Sequence, residues 1–103
     1  MEATRLDDGK PKIWYVPGSA ISAMARVFEF GAKKYHAYNY KTGKGLDLNR
    51  VYDSAFRHLI AWNDGEDNDR ESGLPHLHHA ITNIAMLIDL IELGKGKEYR
   101  FKK

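Results

Sequence analysis

Four of the five histidines and five of the fourteen carboxylates in this chain fall between Arg57 and Asn83. His76, His79 and Asn83 are spaced i, i+3 and i+7, which puts all three on one face of a helix and allows the two imidazoles to share a metal ion. His78 lies to the side. Just upstream, Glu66, Asp67, Asp69 and Glu71 crowd between Gly65 and Gly73. Carboxylates this close repel one another unless a cation or an arginine neutralises them. Hard divalent ions such as Mg²⁺ or Mn²⁺ suit them. The acidic and glycine positions are not those of an EF-hand. Arg57 and His58 precede the loop; a guanidinium can clamp a phosphate through two parallel hydrogen bonds. Taken singly, each piece has a plain structural explanation: a polar helix start, a solvated acidic loop complementing a helix dipole, and an Asp53–Arg57 surface pair. Taken together, they place carboxylates and imidazoles around one gap, the equipment for divalent-metal chemistry on phosphates.

The elements that must position these residues read as an all-α bundle of about three main helices. Pro17-Gly18-Ser19 opens the first, at about 19 to 35, with Ser19 expected as its N-cap. Ile21, Met24, Val27, Phe28 and Gly31 follow at helical spacing. The second helix is expected at about 48 to 63, capped by Asp47 or Asn49. Its core face is Val51, Ala55, Phe56, Leu59 and Trp62, and Asp64-Gly65 stops it. Pro75 suits the first turn of a third helix that runs to about Leu93, where Gly94 ends it. Leu77, Ala80, Ile81, Ile84, Leu87, Ile88 and Ile91 form an apolar stripe too wide for two short partners, so oligomerisation is expected to complete the bundle. Residues 1–16 read as an extended arm carrying Ile13-Trp14-Tyr15-Val16, and residues 95–103 as a basic tail, loose or docked on a partner. Between the first two helices, a loop of glycines, lysines and aromatics follows Lys33-Lys34-Tyr35 and contains Asn39.

With 103 residues the chain makes one domain. Sixteen basic against fourteen acidic side chains leave a formal charge of +2, which argues against a nucleic-acid coat or a polybasic membrane module. There is no cysteine, hence no disulfide and no thiolate metal site. The N-terminus has no secretory h-region and no apolar run is long enough to span a bilayer, so a cytoplasmic protein is expected.

The order of these residues resembles a known family. Asp8-Gly9-Lys10-Pro11 is followed by Phe30-Gly31-Ala32-Lys33-Lys34-Tyr35 with Asn39, and then by Arg57-His58-Leu59 with Ala61-Trp62. Gly65-Glu66 comes next, with Asp69 and Glu71-Ser72-Gly73, then His76-Leu77 with His79-Ala80 and Asn83. Together they resemble the phage-type dATP/dGTP diphosphohydrolase domain, one of the MazG-like all-α nucleotide pyrophosphohydrolases, over roughly residues 5 to 92. The resemblance implies hydrolysis of purine deoxynucleoside triphosphates, dGTP or dATP, to the monophosphate and pyrophosphate. It also implies Mg²⁺ or Mn²⁺ and a homo-oligomer, dimer or tetramer, working in a host cytoplasm if the chain is phage-encoded. MazG-like enzymes usually hold metal with an ExxE pair on one helix and an ExxD pair on the next. Here the second helix has no ExxE, the only ExxD is Glu66 to Asp69 in the loop, and His76-Leu77-His78-His79 stands where carboxylates would.

On this resemblance the metal ligands are expected to be Glu66, Asp69 and Glu71, completed by His76 and His79. The catalytic set is expected to be His58, Arg57 and Glu66, with His58 a base for the attacking water or an orienting group. Lys33 and Lys34 would take phosphate charge, and Tyr35, Asn39 and Asn83 would contact base or sugar. The rival reading is a small nucleic-acid-binding or non-catalytic interaction module, suggested by the basic tail and Lys41-Thr42-Gly43-Lys44. The absence of a basic stripe and the acidic central loop weigh against it.

Overall fold

The computed structural model describes residues 2–103. Three helices carry it: α1 at Gly18–Lys34, α2 at Leu48–Asn63 and α3 at His76–Glu92. Single 3₁₀ turns lie at Ile13–Tyr15 and Asn39–Lys41. Among the described residues no strand forms, only an isolated antiparallel bridge between Asn68 and Pro75 inside the loop that joins α2 to α3. The architecture is the expected all-α bundle.

α3 is the central element, packed most extensively on α2 and then on α1. α2 and α3 run antiparallel. The first turns of α2 meet the last turns of α3 in a core of Leu48, Val51 and Leu90, flanked by Tyr40, Leu46, Met86 and Leu87. The other end of the same helix pair brings His58 to His76. α1 contributes Ala23 and Val27 as its buried residues.

The helix ends differ in detail from what the sequence suggests. α1 begins one residue before Ser19, with Pro17 in the N-cap position and no side-chain cap. Ser19 therefore sits inside the first turn, where its hydroxyl cannot serve as the cap. Asp47 does occupy the N-cap of α2, but its carboxylate makes no cap bond; the Leu48 N–H donates instead to the Lys97 carbonyl at 3.3 Å. Pro75 is the N-cap of α3 rather than its first residue. Gly65 and Gly94 both take positive φ after their helices, as the stop signals require.

The segment after α3 docks on its own chain. The Gly96 N–H donates to the Lys44 carbonyl at 2.8 Å, and Lys95 Nζ donates to the Lys41 carbonyl at 2.7 Å. Gly96, at φ +84°, leaves no room for a side chain: a Cβ there would lie 2.6 Å from Leu48 Cδ2 and 2.9 Å from the Leu46 carbonyl oxygen. Gly45 is similarly tight, with a Cβ placed 2.7 Å from Leu90 Cδ2. The Tyr40 hydroxyl and Lys41 Nζ both donate to Asp89, which fixes the loop after α1 to the C-terminal half of α3.

Two expected core positions are not core. Phe56 and Trp62 are each 45 % exposed, because the buried edge of α2 runs through Val51 and Ala55. Phe56 instead stacks beside Tyr52, ring centroids 4.7 Å apart, on an open flank. Leu77, Ile84, Ile88 and Ile91 leave a second apolar stripe uncovered along α3. No described helix is long and apolar enough to cross a membrane.

Candidate functional site

The loop from Asp64 to Pro75 is built to hold side chains still. Asp69 N–H donates to the Leu74 carbonyl, Gly73 N–H to the Asp69 carbonyl and His76 N–H to the Asp67 carbonyl, each at 2.8 Å. The last of these satisfies an orphan donor at the start of α3. Gly73 takes φ +73° to turn the chain back. The consequence is that Glu66, Asp69 and Ser72 all face the first turns of α3.

Three imidazoles gather there. His76 and His79 are only 4 % and 8 % exposed, and Asn83, one helical step on, is 7 % exposed. The i, i+3, i+7 face is thus turned inward rather than into solvent. His58 reaches across from α2 and places Nδ1 2.8 Å from His76 Nδ1. Its ring stacks on His79, with centroids 4.5 Å apart and planes 11° apart. Phe30 meets His79 edge-on from α1.

The proton inventory follows from these distances. His76 Nε2 lies 2.7 Å from Glu66 Oε1. A carboxylate accepts, so Nε2 carries the proton and His76 Nδ1 is left with a lone pair. In this arrangement His58 Nδ1–H donates to it. Glu66 is held in turn by Arg70, whose Nε donates at 3.1 Å. The hydrogen bond from His76 holds the Glu66 carboxyl below its ordinary range, against the opposing effect of partial burial. Burial, reinforced by neighbouring His79, pushes His58 down to about 4. Burial lowers His79 as well, so these two rings are uncharged near neutrality. Burial alone would raise Asp69. Its hydrogen bonds from the Ser72 N–H, 2.8 Å from Oδ2, and from the Ser72 hydroxyl outweigh that and keep it ionised. Ser72 Oγ also lies 2.6 Å from His79 Nε2 and accepts from the Leu74 N–H.

Among the described residues, one group could hold a metal ion: His58, Asp69 and His76, with one ligand atom from each within 4.8 Å of the others. The donor set fits. Two imidazole nitrogens and one carboxylate oxygen converge, and the proton between the two Nδ1 atoms is removed simply by His58 adopting its other neutral tautomer. A carboxylate that fixes the far nitrogen of a ligating histidine, as Glu66 fixes His76, is a recurrent support for such sites.

A cavity of about 330 Å³ opens beside this group between α1, α3 and the loop after α1. His58, Asp69 and His79 line one part of it; Phe28, Tyr40 and Met86 give it apolar walls. Tyr38, a non-glycine residue at φ 64°, is an exposed member of its lining. A second cavity of about 500 Å³ adjoins it and is bordered by Arg50, Asp53 and Arg57. Lys34, Tyr35, Leu46, Ser54, Glu71 and Asn83 border both.

The expected site residues therefore fall in distinct places. Asp69 and His76 belong to the three-ligand group, joined by His58. His79 lines the cavity 4.0 Å from Asp69 through Nε2. Glu66 stands behind His76, bordering neither cavity. Glu71 is outside the ligand group and pairs instead with Lys34, Nζ to Oε1 at 2.6 Å. Asn39 lines the first cavity, Arg57 the second and Tyr35 both. Lys33 is exposed and borders neither. The expected Asp53–Arg57 ion pair does not form; both side chains face the second cavity instead. Sequence reasoning gave no role to Ser72, whose hydroxyl bridges the loop to His79. Its place in the Glu71-Ser72-Gly73 turn, three residues after Asp69, was the available signal.

A dATP/dGTP diphosphohydrolase of Salmonella phage PMBT28 is 29 % identical to this chain over 91 residues, which cover 88 % of the chain and 30 % of the relative. The chain thus spans about a third of that protein's length. No solved structure matches it significantly. The family profile described as "dATP/dGTP diphosphohydrolase, N-terminal" matches residues 2–100, and the chain belongs to that family.

Proposed function

We propose that this domain hydrolyses purine deoxynucleoside triphosphates, dGTP or dATP, to the monophosphate and pyrophosphate, with a divalent metal ion held by His58, Asp69 and His76. The observation that carries the proposal is the convergence of those three ligands beside an aromatic-walled cavity with a lysine at its edge. The family's name supplies the substrate class. Nitrogen donors favour a first-row transition ion such as Mn²⁺ over Mg²⁺, which prefers oxygen. When bound, such an ion polarises a phosphate oxygen and lowers the pKa of a water molecule.

The chain's own residues do the rest. Glu66 fixes the tautomer and angle of His76 through Nε2. His79, uncharged at neutral pH, donates its Nε2–H to Ser72 Oγ and takes the proton at Nδ1 as water attacks the α-phosphorus, and the α–β bridging P–O bond breaks to release pyrophosphate. Ser72 Oγ orients that imidazole. Lys34 and Arg57 offset the charge that grows on the departing phosphates. Asn83 Nδ2 is committed to the His79 carbonyl at 2.8 Å, which leaves Oδ1 to accept from a sugar hydroxyl or a purine N–H. Tyr35 and Asn39 border the space for the base. The open stripes on α2 and α3 are the surfaces on which further copies complete a MazG-like bundle, as a dimer or tetramer.

The test is product analysis after incubation with each deoxynucleoside triphosphate and Mg²⁺ or Mn²⁺. The expected result is a monophosphate and pyrophosphate from the purine substrates, faster with Mn²⁺. A folded protein that turns over no nucleotide with either ion rejects the proposal.

A further inference from the structure

The second cavity is unlike the first. Its border carries Lys34, Arg50 and Arg57 against Asp53 and Glu71, and Tyr35 is its single aromatic, where its neighbour has several. Lys34 and Glu71 neutralise each other at 2.6 Å. Arg50 and Arg57 have no carboxylate within ion-pair distance among the described residues. Arg50, Ser54 and Arg57 are spaced i, i+4 and i+7, so α2 presents them as one stripe. Unpaired guanidiniums bordering a concave polar surface suit a polyanion, because their planar forks match phosphoryl oxygens.

We infer that this trough seats the β- and γ-phosphates and that Arg50, together with Arg57, is a pyrophosphate-binding residue; the inference rests on the hydrolase reading above. Arg57 adjoins His58 in sequence, so the trough starts where the metal-binding group ends. Arg50 lies about 10 Å further along the α2 axis, a separation that two long side chains close onto neighbouring phosphoryl groups. Lys34, Ser54 and Asn83 border both cavities, so a nucleotide can lie across the pair. Its base then sits among Phe28, Tyr40 and Met86, and its polyphosphate tail along the arginine stripe. Asp53 opposes the two guanidiniums, and Arg50 with Arg57 keeps the trough net positive once Lys34 and Glu71 are paired.

Calorimetric titration with inorganic pyrophosphate in EDTA tests this without the metal or turnover. Arg50 is exposed on the helix, so Arg50→Gln is expected to fold, as circular dichroism would show. The variant should weaken pyrophosphate binding about tenfold and leave binding of deoxyguanosine or deoxyadenosine unchanged. Arg57→Gln should do the same. A folded Arg50→Gln protein with unaltered pyrophosphate affinity overturns the inference, as does a wild-type chain that binds no pyrophosphate. The two readings fail separately. Binding through Arg50 without any nucleotide turnover removes the hydrolase and keeps the trough; turnover with pyrophosphate affinity indifferent to Arg50 removes the trough alone.

Discussion

The two ends of the α2–α3 pair are made of the same two helices and are held together in opposite ways. At one end Leu48, Val51 and Leu90 exclude water, and Gly45 and Gly96 let the backbone of the loop and tail approach to contact distance. At the other end the side chains that fill the interface are imidazoles, a carboxylate and an amide, joined by hydrogen bonds rather than apolar area. Burial favours Leu90 and works against any charge on His58, as the latter's fall to about 4 records. The apolar end is therefore where stability resides, and the imidazole end is where stability is given up, as the proposed chemistry would require. That contrast predicts which changes separate folding from activity.

Asp69→Asn should show the largest effect and should act on one side only. It keeps the size of the side chain and an acceptor for the Ser72 N–H while removing the only anionic ligand of the three-residue group. Losing it should lower purine triphosphate turnover by about 10³-fold, the several kcal/mol that a bound metal contributes. The thermal midpoint should barely move. A large fall in the midpoint would mean that the imidazole end also carries the fold, and the contrast would collapse.

Gly96→Ala is the mirror experiment. The added Cβ would meet Leu48 Cδ2 at 2.6 Å and the Leu46 carbonyl oxygen at 2.9 Å, at a φ of +84° that an L-residue resists. The backbone cost and the overpacking together amount to about 2–4 kcal/mol, measurable by urea denaturation. At a temperature where the variant remains folded, kcat should stay near wild type, since the substitution reaches the cavities only through the Leu46 backbone and touches none of the imidazoles or carboxylates. Unchanged stability would show that the tail does not dock as described.

Lowering the pH should separate the buried imidazoles from the hydrogen-bonded carboxylates by window. His58 is depressed from 6.5 to about 4, so between those values the unfolded chain binds a proton that the folded chain refuses. Its contribution is fully present above pH 6.5 and is lost as the pH falls toward 4. His79 is lowered by the same burial and acts in the same direction. At the apolar end, the Tyr40 hydroxyl and Lys41 hold Asp89 below its ordinary 3.8. Its contribution is present above 3.8 and is lost only as the pH drops through the folded value. Thermal midpoints of the protein in EDTA should therefore decline first between pH 6.5 and 4, and a second decline at lower pH, to which the lowered carboxyls of Glu66, Asp69 and Glu98 also contribute, should be smaller in Asp89→Asn. A midpoint that is flat from pH 7 to 4.5 would contradict the buried, uncharged imidazoles.

Much of this organisation was legible from local pattern. The apolar periodicity of α2, bounded by Asp47 and Gly65, marks Leu48–Asn63 because helix propagation and its stop signals are local. His76, His79 and Asn83 share a face for the same reason. What was not legible depends on pairing distant segments. The tail docks only because Gly45 and Gly96, fifty-one positions apart, both lack a Cβ, and no periodicity encodes that. Phe56 and Trp62 look like core in a one-helix projection; which flank of α2 is covered depends on where α3 lies. His58 could be read as a base or an orienting group, because its approach to His76 depends on the crossing of two helices.

Glu71 gives the finest test, because sequence and geometry assign it differently. As a metal ligand it would be indispensable. In the structure it stands outside the three-ligand group and pairs with Lys34 at the edge of both cavities. That hydrogen bond, ahead of the small opposing effect of burial, raises the Lys34 pKa. Both side chains are largely exposed, and exposed pairs of this kind contribute little. Glu71→Gln should then release Lys34 to the phosphates, with KM changing by no more than about fivefold and kcat no lower than wild type. The direction is informative: KM should fall, because the carboxylate that competes with phosphate for Lys34 is gone. A collapse of kcat comparable to that of Asp69→Asn would instead make Glu71 a ligand and require the loop to close further onto His58 and His76 when metal binds.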